Sequence, residues 1–160
     1  MKAFDPRDAR MLRPYPEEIP WDLLLDADPS RARVESYLSD ELTRVAKLDD
    51  VVIGVYALQR IDATSFELMN IAVAESHQGT GLGRRLLGHA IGLAESKGAR
   101  VIEVGTGNSS FDALRFYQRA GFRIVGVLVN HFVDNYDEPI YENGIQCIDM
   151  VRLRLVLTPE

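Results

Sequence analysis

Three glycines stand at alternate positions, Gly79, Gly81 and Gly83, between an apolar run at residues 66–73 and a segment with helical spacing. In that segment Leu82, Leu86, Ala90, Leu93 and Ala94 recur on one face, and Lys97-Gly98 reads as its C-terminal stop. A buried strand, a glycine loop and a helix thus follow one another directly. Glycine lets the backbone take positive φ and pass close to a ligand. The first helical turn presents free N–H groups and a partial positive charge, which suits phosphate oxygens. Arg84 and Arg85 add positive charge. A plain structural turn would also use these glycines. The dinucleotide pattern GxGxxG fails, because its third glycine would fall at Arg84 or Leu86. No Gly-Lys-Ser/Thr follows, so the P-loop pattern fails too.

The rest of the chain supplies the partners for this junction. Pro6, Pro14, Pro16 and Pro20 make the first 20 residues mostly irregular in expectation. Residues 21–25 suit a short helical turn. Asp28-Pro29 reads as a helix start running to about residue 38, with Val34, Tyr37 and Leu38 inward. Residues 42–48 and 51–60 form a hairpin around Asp49-Asp50, and 66–73 is a third strand. Beyond the helix, 101–104 is a strand and 105–108 a loop. Ser109 or Ser110 caps a second helix that presents Ala113, Phe116, Tyr117 and Ala120 on one face and stops at Gly121. A strand at 122–129, a polar and aromatic loop to Gly144, and a last strand at 145–157 complete the order. Strands first, then alternation with helices, predicts an α/β domain with a mixed sheet. At 160 residues, with no repeat or linker, one domain spanning 1–160 is expected.

Charge and composition exclude some functions. A net charge of −6 argues against nucleic acid as a partner and is compatible with a cationic substrate, or simply with solubility. Cys147 is the only cysteine, so neither an intramolecular disulfide nor a thiolate cluster is available. His77, His89 and His131 lack ligand spacing, and no metal is expected. No apolar stretch is long enough for a bilayer, and the first 16 residues do not read as a secretory signal. No membrane partner and a cytoplasmic location are therefore expected.

The pattern that is present is Gln78-x-x-Gly81-x-Gly83, with Val73 five residues upstream. It resembles the coenzyme A pyrophosphate loop of the GNAT N-acetyltransferase superfamily. That resemblance implies a GNAT fold, a mostly antiparallel mixed sheet with helices on both faces, and acetyl-CoA as co-substrate. Backbone N–H groups of Gln78, Gly79, Thr80, Gly81, Leu82, Gly83 and Arg84 would hold the pyrophosphate. Ile71, Ala72 and Val73 would pair with the pantetheine arm. A second match is Tyr117-x-x-x-Gly121-Phe122. By resemblance the Tyr117 hydroxyl is the general acid for the leaving thiolate, chemistry that makes sense because a thiolate leaves more easily when protonated. A core tyrosine is the alternative. Members of the family often carry an asparagine seven residues before that tyrosine. Here Ser110 holds the position and Asn108 is the nearest asparagine, so the resemblance leaves the cofactor contact to Asn108 or Ser110. The resemblance spans roughly residues 42–123.

An alkylamine acceptor must lose a proton before it attacks. Glu67, six residues ahead of Val73, matches a glutamate that serves some family members as general base, directly or through water. Desolvation on a buried strand would raise its pKa; a solvent-facing glutamate is the alternative. Strict alternation puts Asn70 on the opposite face from Glu67. The loop at 130–144 mixes aromatics with Asp134, Asp137, Glu138 and Glu142, a composition that suits an ammonium group or plain solvation. The resemblance implies direct acetyl transfer to a primary amine, on a small molecule or a peptide, in a ternary complex. A non-catalytic acyl-CoA-binding or sensing domain, or an acyltransferase with another donor or acceptor, stays open. A homodimer follows only by analogy. Residues 140–150 resemble a bacterial subgroup whose acceptor is not defined.

Overall fold

A computed structural model describes residues 2–157. Seven strands form one sheet, in the order β1 (Arg10–Leu12), β2 (Thr43–Leu48), β3 (Val51–Arg60), β4 (Ser65–Val73), β5 (Val101–Gly107), β9 (Met150–Val156) and β6 (Arg123–Leu128). The hairpin reading holds: β2 (Thr43–Leu48) pairs antiparallel with β3 (Val51–Arg60), and β3 with β4 (Ser65–Val73). Among the described residues the one parallel pair is β4 with β5 (Val101–Gly107). Parallel neighbours need a crossover, and α3 (Leu82–Ser96) provides it. Then come α4 (Phe111–Arg119), β6 (Arg123–Leu128) and β9 (Met150–Val156), with β9 inserted between β5 and β6.

Two apolar layers sandwich the sheet. Leu82, Leu86, Ala90 and Ala94 of α3 pack with Tyr117 and Phe122 against Phe66, Leu68 and Ile102 on one face. On the other face α1 (Trp21–Ala27) and α2 (Arg31–Tyr37) bury Leu24, Val34 and Tyr37 against Val45, Val55 and Ala57. Helices therefore cover both faces.

Four local expectations are corrected. The first 20 residues are not mostly irregular: they contain two 3-10 turns and β1 (Arg10–Leu12), which pairs with β2. The Arg85 guanidinium donates to the carbonyls of Pro6 and Ala9 and fixes this segment on α3. The helix after Asp28 starts later, at Arg31, with the Ser30 hydroxyl accepting from the Arg33 N–H at 3.3 Å. Asp28 is extended, and its carboxylate bonds to tyrosines instead. The loop at 130–144 contains α5 (His131–Asn135) and opens the hairpin of β7 (Ile140–Glu142) with β8 (Ile145–Cys147). The last strand is interrupted at 148–149, where both N–H groups donate to Asn108 Oδ1.

A fifth departure shapes the site. Ala57 pairs with Asn70 but Leu58 with Leu68, so Met69 is an extra residue, a β-bulge in β4. The bulge cancels the alternation between Glu67 and Asn70, and both face α1 and α2. Pairing of β4 with β5 ends at Leu68–Val104, beside the bulge. From there the two strands separate.

Candidate active site

Residues Asn70 to Val73 of β4 pair with β3 on one side and with no strand on the other, among the described residues. A row of backbone donors and acceptors is thus open to an extended ligand. The gap continues into a cleft of about 1160 Å³ between β4, the glycine loop and α4, lined by Ile71, Ala72, Val73, Gln78, Gly79, Gly81, Gly83, Arg84, Phe116 and Tyr117. Gly81 takes φ +92° as the N-cap of α3, a conformation that costs any L side chain. With no Cβ there, no side chain caps the helix. Its first intrahelical bond is Arg85 N–H to Gly81 O at 3.1 Å, so the N–H groups of Gly83 and Arg84 have no backbone acceptor among the described residues.

Not every loop group is free. The Gln78 N–H donates to Glu75 O at 3.3 Å, and its side-chain amide to Val73 O at 3.1 Å, closing the loop. The Leu82 N–H donates to the Thr80 hydroxyl at 3.4 Å, while Thr80 donates to His77 O. Leu82 itself is core. Arg84 lines the cleft, joined by Arg115 and Arg119 of α4; Arg85 is turned to the N-terminal segment. The reading of the sequence missed Arg115 and Arg119, although their i,i+4 spacing on a helix placed beside the glycine loop is a usable signal.

Tyr117 is 7% exposed, with its ring against Phe116 and Phe122 at centroid distances of 5.2 and 5.7 Å. It lines the cleft, and burial pushes its pKa above the ordinary tyrosine value. The hydroxyl stays protonated through neutral pH. Asn108 is spent on structure: its Oδ1 accepts from Ile148 and Asp149 at 2.8 and 3.0 Å, and its Nδ2 donates to Gln146 O at 3.2 Å. Ser110, the N-cap of α4, instead lines a second cavity.

That second cavity, about 770 Å³, lies beyond the strand separation, and Asp26 and Ala27 border both spaces. Its walls include Asp28, Glu67, Met69, Phe132, Tyr136 and Tyr141. Glu67 is not an isolated carboxylate. Arg152 reaches its two oxygens at 2.9 and 3.3 Å and also bonds Glu103 at 3.0 Å. Burial alone would lower the Arg152 pKa, but the bonds and charges of Glu67 and Glu103 outweigh it and the net shift is upward. Asn70 donates to Leu24 O and to the Tyr37 hydroxyl, both at 3.0 Å. Tyr37 donates to Asp28 at 3.1 Å, and Tyr136 donates to the other Asp28 oxygen at 2.8 Å. This network joins four segments far apart in sequence, and no local pattern announces it.

Among the described residues no group of three or more His, Cys, Asp or Glu is arranged to hold a metal ion. No helix among them is long and apolar enough to cross a membrane.

Residues 7–122 match the model of the Acetyltransferase (GNAT) family. The chain is 48% identical over 137 residues to the uncharacterized N-acetyltransferase YvbK of Bacillus subtilis (strain 168), covering 86% of this chain and 88% of the relative. It superposes with a TM-score of 0.89 on a GNAT family acetyltransferase from Elizabethkingia anophelis solved with acetyl-CoA bound, at 42% identity over 94% of this chain and 99% of the other. A Bacillus subtilis acetyltransferase in complex with CoA gives a TM-score of 0.84 at 44% identity, covering 94% and 98%.

Proposed function

From the premise that the chain belongs to the GNAT acetyltransferase family and is an acyltransferase, we propose that it moves the acetyl group of acetyl-CoA to a primary amine on a small molecule or peptide. The observation that carries this reading is the separation of β4 from β5 at the Met69 bulge. It opens one strand edge between a cleft with free N–H groups and an acidic, aromatic cavity.

The donor side suits a phosphorylated, extended co-substrate. N–H groups around Gly81–Gly83, with Arg84, Arg115 and Arg119, meet the pyrophosphate and phosphate charge. The open edge at Ile71, Ala72 and Val73 pairs with the amide groups of pantetheine. The thioester then faces the bulge, where the acceptor arrives from the second cavity. Ser110 borders that meeting point.

The amine nitrogen forms a bond to the acetyl carbon as the carbon–sulfur bond breaks. Glu67 takes the ammonium proton, directly or through water, before attack. Each of its oxygens has one N–H from Arg152 and keeps lone-pair capacity for that proton. Tyr117 gives its proton to the departing thiolate and is restored by the second proton that the nitrogen sheds as the amide forms.

The test is thiol release from acetyl-CoA against a panel of amines, with Glu67→Gln beside the unaltered protein. Amine-dependent release, with the Glu67→Gln loss of kcat/KM greatest at low pH where the amine arrives protonated, supports the reading. Tight acetyl-CoA binding with no release across the panel would replace it with a binding or sensing role.

A further inference from the structure

The acceptor cavity carries several carboxylates, yet an arginine without a counter-ion also lines it. Arg33 sits on α2 with its guanidinium carbon 5.4 Å from the centre of the Tyr136 ring. Its Nε is buried with no hydrogen-bond partner, and no carboxylate among the described residues lies within ion-pair distance of it. The cavity's other arginine is satisfied: Arg31 pairs with Glu35 at 3.0 Å and lies over Trp21. Glu67 has Arg152, and Asp28 is taken by the two tyrosine hydroxyls and the Ser30 N–H.

A buried donor on a charged group is costly when left unpaired. Arg33 is also held in place, since the ring below it is tethered by Tyr136 to Asp28. His131 lies nearby and is also short of a partner. Its Nε2 is buried and unpartnered, and burial, then Arg33 and Arg152, hold its pKa below the ordinary value against the pull of Glu67 and Asp134. Arg33 therefore stands as an unpaired cation on the wall of a cavity that also carries carboxylates. A simple amine gives that cation nothing to bind.

We propose that the acceptor carries a carboxylate as well as its amine, and that Arg33 binds the carboxylate. This rests on the reading that the second cavity receives the acceptor. The terminal N–H groups of the guanidinium fork match the two oxygens of a carboxylate. The acidic walls then serve the ammonium end, so the two charges of an amino-acid-like acceptor fix its direction in the cavity. Arg33 is a specificity-determining residue, not a participant in acetyl transfer.

The experiment compares matched acceptors with and without the acid: phenylalanine with phenethylamine, and a length series of ω-amino acids with the corresponding alkylamines. Thiol release is followed in the unaltered protein and in Arg33→Gln, with Arg33→Lys as the conservative variant. The unaltered protein should favour at least one acid-bearing member over its partner. Arg33→Gln should lower kcat/KM for that member about 10- to 100-fold, mainly through KM, and leave the plain amine within about twofold. Arg33→Lys should recover part of the loss. Equal use of both members of every pair, or a parallel loss for both in Arg33→Gln, overturns the proposal. A second arm needs no turnover: calorimetric binding of the N-acetylated products to the CoA-loaded protein. If acetylation fails but Arg33-dependent binding of the carboxylate compounds remains, the transfer reading falls and this one stands. Absence of carboxylate-dependent binding as well removes it.

Discussion

Tyr117 packs its ring in the core and also lines the cleft, so Tyr117→Phe separates the ring from the hydroxyl. The contacts with Phe116 and Phe122 survive the change, and the melting temperature should barely move. If the hydroxyl supplies the leaving thiolate with its proton, kcat falls roughly 10- to 10⁴-fold while acetyl-CoA still binds. An unchanged kcat in the folded variant removes Tyr117 from the mechanism. The sign of the pH dependence follows from burial, which raises the pKa. A raised pKa keeps the acid protonated at every pH below the ordinary tyrosine value of about 10. Any loss of kcat caused by deprotonating Tyr117 must therefore lie above about pH 10. A descending limb near pH 9 that vanishes in Tyr117→Phe would contradict this assignment. Neighbouring positions show why residue roles are harder to read than motifs. Asn108 shares with Ser110 the expectation of touching the cofactor, but its Oδ1 and Nδ2 both bond the backbone at 146–149. Only the fold brings that stretch beside it.

Elements with strong periodicity were legible in the sequence; contacts made across the chain were not. β3 spans the expected 51–60, and α3 runs from Leu82 to the stop at Lys97-Gly98, because both satisfy most of their demands locally. β1 was hidden behind four prolines, since the contact that steadies its segment comes from Arg85. The Met69 bulge left no mark either. Residues 65–73 contain no glycine, and their burial alternates through Asn70 as though no extra residue were present. The glycine loop was legible because its chemistry is backbone chemistry, and that gives it a sharp test. Gly81 stands at φ +92°, so Gly81→Ala should cost about 1–2 kcal/mol and weaken acetyl-CoA by shifting the N–H groups of the first turn. Gly88, in the same helix, is exposed, has ordinary helical φ and would meet nothing with an added Cβ. Gly88→Ala should instead raise stability by about 0.5–1 kcal/mol and leave binding alone. Denaturant melts and acetyl-CoA titrations of the two variants read both quantities. Equal losses of affinity would show that the loop is only a turn.

Across the whole molecule, a chain of net charge −6 gathers Arg84, Arg115 and Arg119 at the cleft beside its glycine loop. An acidic protein binding a polyanion gains from such focusing, and the gain weakens as salt screens it. Ligand that binds only the folded state at about 100 times its Kd adds roughly 2.7 kcal/mol. For a domain of this size that corresponds to a rise in melting temperature of roughly 5–10 °C. Acetyl-CoA should produce such a rise, larger at low ionic strength, while NADH and ATP at the same concentration should not. The open β4 edge supplies the distinction, because it offers pairing to the amide-bearing pantetheine arm that neither control possesses. Arg115→Gln with Arg119→Gln should reduce both the shift and its salt dependence without lowering the melting temperature of the free protein, since neither side chain holds an ion pair among the described residues. If NADH or ATP shifts the protein equally, the cleft recognises phosphate alone, and the β4 edge takes no part in selecting the donor.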